Sequence, residues 1–267
     1  MNANNDYHLV NKKTWNEKVS FHIDSDFYDM SAFLNGKNSL PFTDIEALGD
    51  ISNKKVIHLQ CHFGQDTLSM ARMGANVTGV DFSEKAIEKA KEINNALNLS
   101  AKFMCCNVYD TLDYINEKFD IVYTSYGTIG WLPDVNKWAN IIAKLLKPNG
   151  KLVFFEFHPV VWMYDNFFNN VAYSYFKSDA IVEVDEGTYA DKDATIKTTS
   201  VTWNHSLSEV FSALLKNNIE IIDFEEYNFS HYNCFNETEE FEPNKYRIKK
   251  FKNNIPMMYK IIGRKKN

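Results

Sequence analysis

From Lys54 onward, short apolar runs alternate with helix-length amphipathic stretches, and few architectures tolerate that order. A parallel strand buried on both faces reads as a continuous apolar run, and its parallel neighbour needs a crossover that is usually a helix. The alternation therefore predicts βαβ units and an α/β sandwich. Lys55–Leu59 reads as the first strand, followed by a helix over Asp66–Met73 that Gly74 closes. Asn76–Val80 is a second strand ending at Asp81. Ser83 then precedes Ala86, Ile87, Ala90 and Ile93, an N-cap before an apolar stripe at helical spacing. Ala101–Cys105 and Phe119–Thr124 are further strands. Trp138–Leu146 is a helix stopped by Lys147-Pro148-Asn149-Gly150, and Lys151–Phe157 is a fifth strand.

The alternation stops there. Residues 158–205 are rich in aromatics and acids, with hairpin strands expected near Ala180–Val184 and Thr195–Trp203. An insertion at the carboxyl end of a sheet strand overhangs the crevice where ligands bind, so this segment is expected to be a lid. Ser206 and Ser208 can cap a helix through Leu215, and His205 is expected to assist that cap. Ile219–Glu225 and Met257–Ile262 read as closing strands separated by a long polar loop. Residues 1–50 carry helical potential around Asn11–Phe21 and Asp44–Leu48 and are expected to form an N-terminal helical cap on a main domain of residues 51–267.

The composition suits a globular protein, with 45% hydrophobic and 24% charged residues, and the 15% aromatic share suggests aromatics lining a cleft. The net charge is −6, and the one dense basic run, Lys245 to Lys252, directly follows the acidic run Glu237 to Glu242. Such neighbours read as solvated faces that neutralise each other, which argues against a nucleic-acid partner. Four cysteines form no disulfide framework, the first residues lack an apolar signal core, and no stretch reaches the roughly 18 apolar residues of a membrane span. A cytoplasmic protein without a membrane partner, monomeric or homodimeric, is the expectation.

The first strand, turn and helix, VIHLQCHFGQDTLSMARMGANVTGVD, carry the strongest chemical signal. Such a turn brings backbone N–H groups and a helix N-terminus to the crevice, and Gly64 permits close approach because it lacks a Cβ. Asp81 ends the next strand, where a carboxylate can accept both hydroxyls of a ribose, as in a nucleotide-binding βαβ unit. Asn107 and the Val108 N–H lie just beyond the third strand, placed to bond an adenine edge. Ser125 and Tyr126 follow the fourth.

The order of these features resembles the class I methyltransferases that use S-adenosylmethionine. "FDIVYTSYG" is similar to their fourth-strand motif, and "LLKPNGKLVF" to their proline-glycine turn into strand five. The resemblance is clear over about residues 50–157. It implies a Rossmann-like three-layer sandwich whose seven-stranded, mostly parallel sheet ends on an antiparallel strand. It also implies an S-adenosylmethionine site formed by Gln60, Cys61, His62, Gly64, Asp81, Phe82, Asn107, Val108 and Ser125, with Trp15 closing over it. Trp15 and Phe21 can equally pack against the sheet.

The first motif departs from the family's pattern. His58 stands at the usual acid, and Gln60 and His62 replace two of three glycines, so their side chains are expected to take over part of the contact with the methionine portion. A bacterial subgroup shares this HLQCHFG turn and the Glu156-Phe157-His158-Pro159 strand end. Methyl transfer from a sulfonium needs alignment above all, and a base only if the nucleophile must lose a proton. Tyr126 and His158, with Glu156, are the candidates facing a small-molecule acceptor; a structural role for His158 stays open. No metal is expected, because Cys61, His62, Cys105 and Cys106 lack paired ligand spacing. A nicotinamide oxidoreductase would want GxGxxG where QCHFGQ stands, and a non-catalytic binder of S-adenosylmethionine is the other alternative.

Overall fold

The computed structural model describes residues 3–267. Three helices come first: α1 (Ala3–Ile23), α2 (Met30–Leu34) and α3 (Phe42–Leu48). The regular alternation follows as β1 (Lys55–Leu59), α4 (Gln65–Arg72), β2 (Asn76–Asp81), α5 (Glu84–Ala96), β3 (Lys102–Cys105), α6 (Thr111–Tyr114), β4 (Phe119–Ser125), α7 (Val135–Leu145) and β5 (Leu146–Phe157). Beyond it lie β6 (Ile181–Glu186), β7 (Lys197–Thr202), α8 (Leu207–Lys216), β8 (Ile219–Tyr227), β9 (Thr238–Glu242), β10 (Lys245–Ile248) and β11 (Met258–Lys265).

Among the described residues, seven strands form one sheet in the order β3-β2-β1-β4-β5-β11-β8. β1 to β5 run parallel, and β11 lies antiparallel between β5 and β8. This is the Rossmann-like, last-strand-antiparallel sheet that the sequence implies. Its order reverses between β1 and β4, so their carboxyl ends flank a crevice at the topological switch point.

Helix starts follow local chemistry. Asp134 accepts from Lys137 N at 2.9 Å and caps α7, and Ser83 Oγ accepts from Ala86 N at 3.1 Å to cap α5. α7 packs Trp138, Ile142 and Leu145 against Phe154, Tyr259 and α8's Leu214, all buried. Each such side chain contributes about 1.5–3 kcal/mol when fully removed from water. On the opposite face, Phe103, Cys61 and Leu68 pack on α5 through Ala86 and Ala90, while α3 covers Tyr123 and Phe155 with Leu48.

Three local expectations change. The proline-glycine stop lies inside β5: Leu146 pairs with Phe119, the chain loops out at Asn149 (φ 60°), and pairing resumes at Lys151 opposite Ile121. The long polar loop contains the β9–β10 hairpin, in which Arg247 pairs with Glu239 and Lys245 with Glu242. These alternating charges pair across strands, a distance that one-dimensional patterning does not show. Ser206, not His205, caps α8; His205 is held between Leu132 O (2.8 Å) and Glu209 (3.1 Å).

α1 is polar along most of its length, and specific bonds hold it rather than an apolar stripe. Buried Asn11 donates to Val201 O (2.8 Å) and accepts from Val201 N (2.9 Å), standing in for a neighbouring strand at the edge of β7. Thr14 donates to Thr199 O, and Asn16 accepts from Ser83 Oγ at 2.6 Å. No helix among the described residues is long and apolar enough to cross a membrane.

Asn11→Ala should destabilise the fold by about 2–3 kcal/mol, because it strands a buried N–H and a buried carbonyl on β7. Urea unfolding measures this directly. A midpoint equal to that of the parent protein would show that water satisfies the β7 edge.

Candidate functional site

β1 ends at a turn built from residues that normally avoid its conformation. Gln60 (φ 57°) and His62 (φ 50°) are left-handed, as is Gly64 (φ 80°), which opens α4. A Cβ at Gly64 would come within 2.7 Å of the Phe103 ring, so this glycine is required on two grounds. Left-handed backbone costs a non-glycine residue about 1–2 kcal/mol, and specific contacts offset it here. Gln60 Nε2 donates to Thr128 O at 2.9 Å, and His62 N donates to Asp81 Oδ2 at 2.9 Å. His62 Nε2 lies 3.0 Å from His22 Nδ1. Gln60 Oε1 and His62 Nδ1 are buried without a partner among the described residues.

Asp81 also accepts from Ser83 N at 2.9 Å, and burial raises its carboxyl to about 6 despite these backbone donors. His58, at the position of the family's acid, bonds Thr67 Oγ1 at 2.9 Å; burial lowers it to about 3, so it is neutral. Burial also keeps His22 (lowered to about 3) and His62 uncharged.

The loop after β4 is fixed from β5. Glu156 is buried and accepts hydrogen bonds from the backbone N–H groups of Gly127, Thr128 (2.7 Å), Ile129 (3.1 Å) and Phe157 (2.7 Å), and from Thr128 Oγ1 (3.1 Å). With its carboxylate so committed, Glu156 is an anchor for the loop rather than a free base. Tyr126, left-handed at φ 48°, donates its hydroxyl to Asp44 Oδ2 at 2.7 Å. Asp44, fully buried on α3, also accepts from Tyr123 (2.6 Å) and Thr43 (3.0 Å), and Thr43 Oγ1 contacts His231 Nε2 at 2.7 Å. Burial raises Asp44 to about 7, against the pull of the three hydroxyl bonds.

The turn, Asp81, Tyr126 and Glu156 line one cavity of about 1560 Å³, with Asp44 and Tyr123 behind its wall. A single-ligand pocket takes roughly 300–1,000 Å³, so this one has room for a cofactor and an acceptor together. Trp15, Gln60, Cys61, His62, Gly64, Asp81, Phe82, Asn107, Val108, Ser125 and Tyr126 all line it. Trp15 packs edge-on against His62 (5.2 Å) and Trp131 (5.3 Å), which brings α1 over the turn. Asn107 Oδ1 is engaged, accepting from Tyr109 N at 3.0 Å, so its amide N–H₂ is the end left for a ligand. His158 is the correction. Its side chain is outside the cavity lining, buried beside Tyr259, with Nε2 2.9 Å from Glu226 Oε1 of β8 and off the line of a directed hydrogen bond. His158 follows the end of β5, and its ring is held away from the crevice between Val160 N, which donates to Nδ1 at 3.2 Å, and Glu226.

The cavity also draws on residues that the sequence did not single out: Lys18, Tyr28, Asp66, Tyr189 and Tyr232. They come from α1, α4 and connecting segments far apart in the chain. Only Asp66, beside the Gly64 turn, carried a local signal.

Residues 56–150 match the family described as "Methyltransferase domain". The ubiquinone biosynthesis O-methyltransferase of Bartonella tribocorum is 34% identical over 120 residues, which are 45% of this chain and 48% of that protein. The chain thus spans about half the length of the curated relatives it matches. An S-adenosylmethionine-dependent methyltransferase from Clostridium acetobutylicum superposes with a TM-score of 0.58 at 14% identity, over 96% of this chain and 99% of that one. One from Mesorhizobium loti gives 0.57 at 17% identity, over 87% and 100%. These structures share the fold.

The raised Asp44 carboxyl has a stability consequence. Below its ordinary value of 3.8, both folded and unfolded chains hold the proton. Between pH 4 and 7 the unfolded chain ionises first, so stability is lost as pH rises through that window and levels off above it. Asp44→Asn removes this contribution while other buried acids cancel in the comparison. Relative to the parent protein, the variant should gain a few kcal/mol at pH 7.5 over its standing at pH 4.5. Parallel stability curves for the two proteins in urea would place the Asp44 proton elsewhere.

Proposed function

We propose that the protein transfers a methyl group from S-adenosylmethionine to a small-molecule acceptor bound in the same cavity. The observation that carries this reading is the meeting of the Gln60–Gly64 turn and Asp81 at the switch point of a segment that matches the methyltransferase domain. The residues present fit the cofactor. Asp81 would take the ribose hydroxyls, with Asn107, Val108 and Phe82 around the adenine and Ser125 nearby. The unpartnered Gln60 Oε1 and His62 Nδ1 offer polar contacts to the methionine end where the family has glycine backbone. When bound, the cofactor supplies a methyl group on a positively charged sulfur, a good leaving group.

The chain's own residues align, enclose and deprotonate. Trp15 and Trp131 wall the turn from water, and the segment 158–205 with α1 acts as the lid on a domain of residues 51–267. Tyr126 is the residue facing the acceptor. Because its hydroxyl already donates to Asp44, a proton arriving on Tyr126 Oη can be matched by one passed to Asp44 Oδ2. The paired charges of the β9–β10 hairpin support a small molecule over nucleic acid, and four free thiols suit a reducing cytoplasm.

Calorimetry should show S-adenosylmethionine and its demethylated product binding at neutral pH while NAD does not. Asp81→Asn should weaken both by more than tenfold, in line with roughly 1.5–3 kcal/mol for a hydrogen bond to a charged group. Heat from NAD alone would overturn the reading, and an unchanged affinity in the variant would move the ribose site.

A further inference from the structure

At this end of the cavity Asp66 lines the wall, partly buried, and Asp44 lies fully buried behind Tyr126; neither has a counter-charge among the described residues. Asp44 is bonded only by the hydroxyls of Thr43, Tyr123 and Tyr126, and Asp66 only by Ser39 Oγ at 2.6 Å. Among the described residues no lysine, arginine or histidine pairs with either carboxylate. Burial raises both, and Asp66 raises Asp44 further. The cavity's lysines are engaged elsewhere: Lys37 pairs with Asp29 at 3.0 Å, and Lys192 donates to Phe235 O at 3.3 Å. Lys18 lies against Trp15 (5.6 Å) and Trp131 (5.9 Å). Among the described residues, no arginine lines the cavity.

The walls beside these acids are aromatic. Tyr126 meets Tyr232 at 5.0 Å and Phe157 at 5.8 Å between ring centroids, and Tyr232 meets Phe27 at 5.7 Å. Burial, and after it the nearby charges of Asp66 and Asp44, push the Tyr232 hydroxyl well above its ordinary value. Buried carboxylates without a cation are costly, and the missing charge is positive. Aromatic faces and carboxylates together recognise an ammonium group, whereas they repel a carboxylate or a phenolate.

Building on the methyl-transfer reading, we propose that the acceptor is a small amine, bound as its ammonium ion among Tyr126, Tyr232 and Phe157 and facing Asp66, with Asp44 behind the Tyr126 hydroxyl. The chemistry balances. The ammonium N–H gives its proton to Tyr126 Oη as the Tyr126 proton passes to Asp44, which leaves a neutral amine. The nitrogen lone pair then forms the N–C bond to the methyl group as the S–C bond breaks with its electrons remaining on sulfur. The product is the methylated ammonium ion, and the proton on Asp44 is released to water. Thr43 and His231 extend the hydrogen-bonded chain behind Asp44.

The test uses the full chain saturated with S-adenosylhomocysteine at pH 8. Choline serves as a cationic probe with no proton to lose, and 3,3-dimethylbutan-1-ol as its neutral isostere. Calorimetry should show choline binding at least tenfold more tightly than the isostere. Asp66→Asn should weaken choline about tenfold and leave S-adenosylhomocysteine affinity unchanged. Tyr232→Leu, at a partly exposed wall position, should weaken choline similarly and covers the case in which the Asp66 variant does not fold. Equal binding of choline and the isostere overturns the amine assignment while the cofactor reading stands. Failure of S-adenosylhomocysteine to bind overturns the methyl-transfer reading and this inference with it. With labelled S-adenosylmethionine, methylation of 4-ethylphenol but not of phenethylamine also overturns the amine assignment.

Discussion

The crevice depends on one buried carboxylate. Glu156 sits at the end of β5, where an apolar strand would be simpler, and gathers four backbone N–H groups and one hydroxyl. A charge in that position is tolerable only when its lone pairs are filled, and each charge-assisted bond contributes about 1.5–3 kcal/mol. In return the loop after β4 has a single path. Gln60 grips it through Thr128 O, Trp131 stands against Trp15, and Tyr126 is turned toward Asp44. Removal of the carboxylate would free three consecutive N–H groups and with them both walls of the cavity.

Strain concentrates in the same place. Gln60, His62 and Tyr126 are left-handed residues without glycine's freedom, and all three line the cavity. Such conformations persist only where neighbours over-determine them, and they gather at functional sites. Here the determinants are visible: Thr128 O for Gln60, Asp81 and His22 for His62, Asp44 for Tyr126. Replacing two glycines thus adds side-chain chemistry to the turn at a conformational cost that hydrogen bonds offset.

The cavity is polarised. One half, the proposed cofactor side, is the regular sheet edge, where backbone groups and Asp81 are provided by contiguous motifs. The other half, the proposed acceptor side, is assembled from α1, α3, the first turn of α4 and the segments around Tyr189 and Tyr232. α1 reaches it because Asn11 and Thr14 bind the β7 edge, which ties the β6–β7 hairpin to the same helix that carries Trp15 and Lys18.

The strands β1 to β5, the helices α4, α5 and α7 and the turn after β1 were legible in the residues alone, because apolar runs, N-caps and turn residues act over distances of a few positions. Asp81 and the turn at Gly64 were visible for the same reason. Asp44 was not: an acid in the first turn of a short helix reads as ordinary, and only the packing of α3 on β4 brings it to Tyr123 and Tyr126. The direction of His158 depended on its distant partner Glu226 on β8, and the β9–β10 hairpin on cross-strand pairing of charges that a linear reading sees as two runs. Local sequence determined the sheet and the turn at its edge; long-range contacts alone decided the far side of the cavity, since burial and counter-charge are properties of neighbours that the chain brings together only on folding.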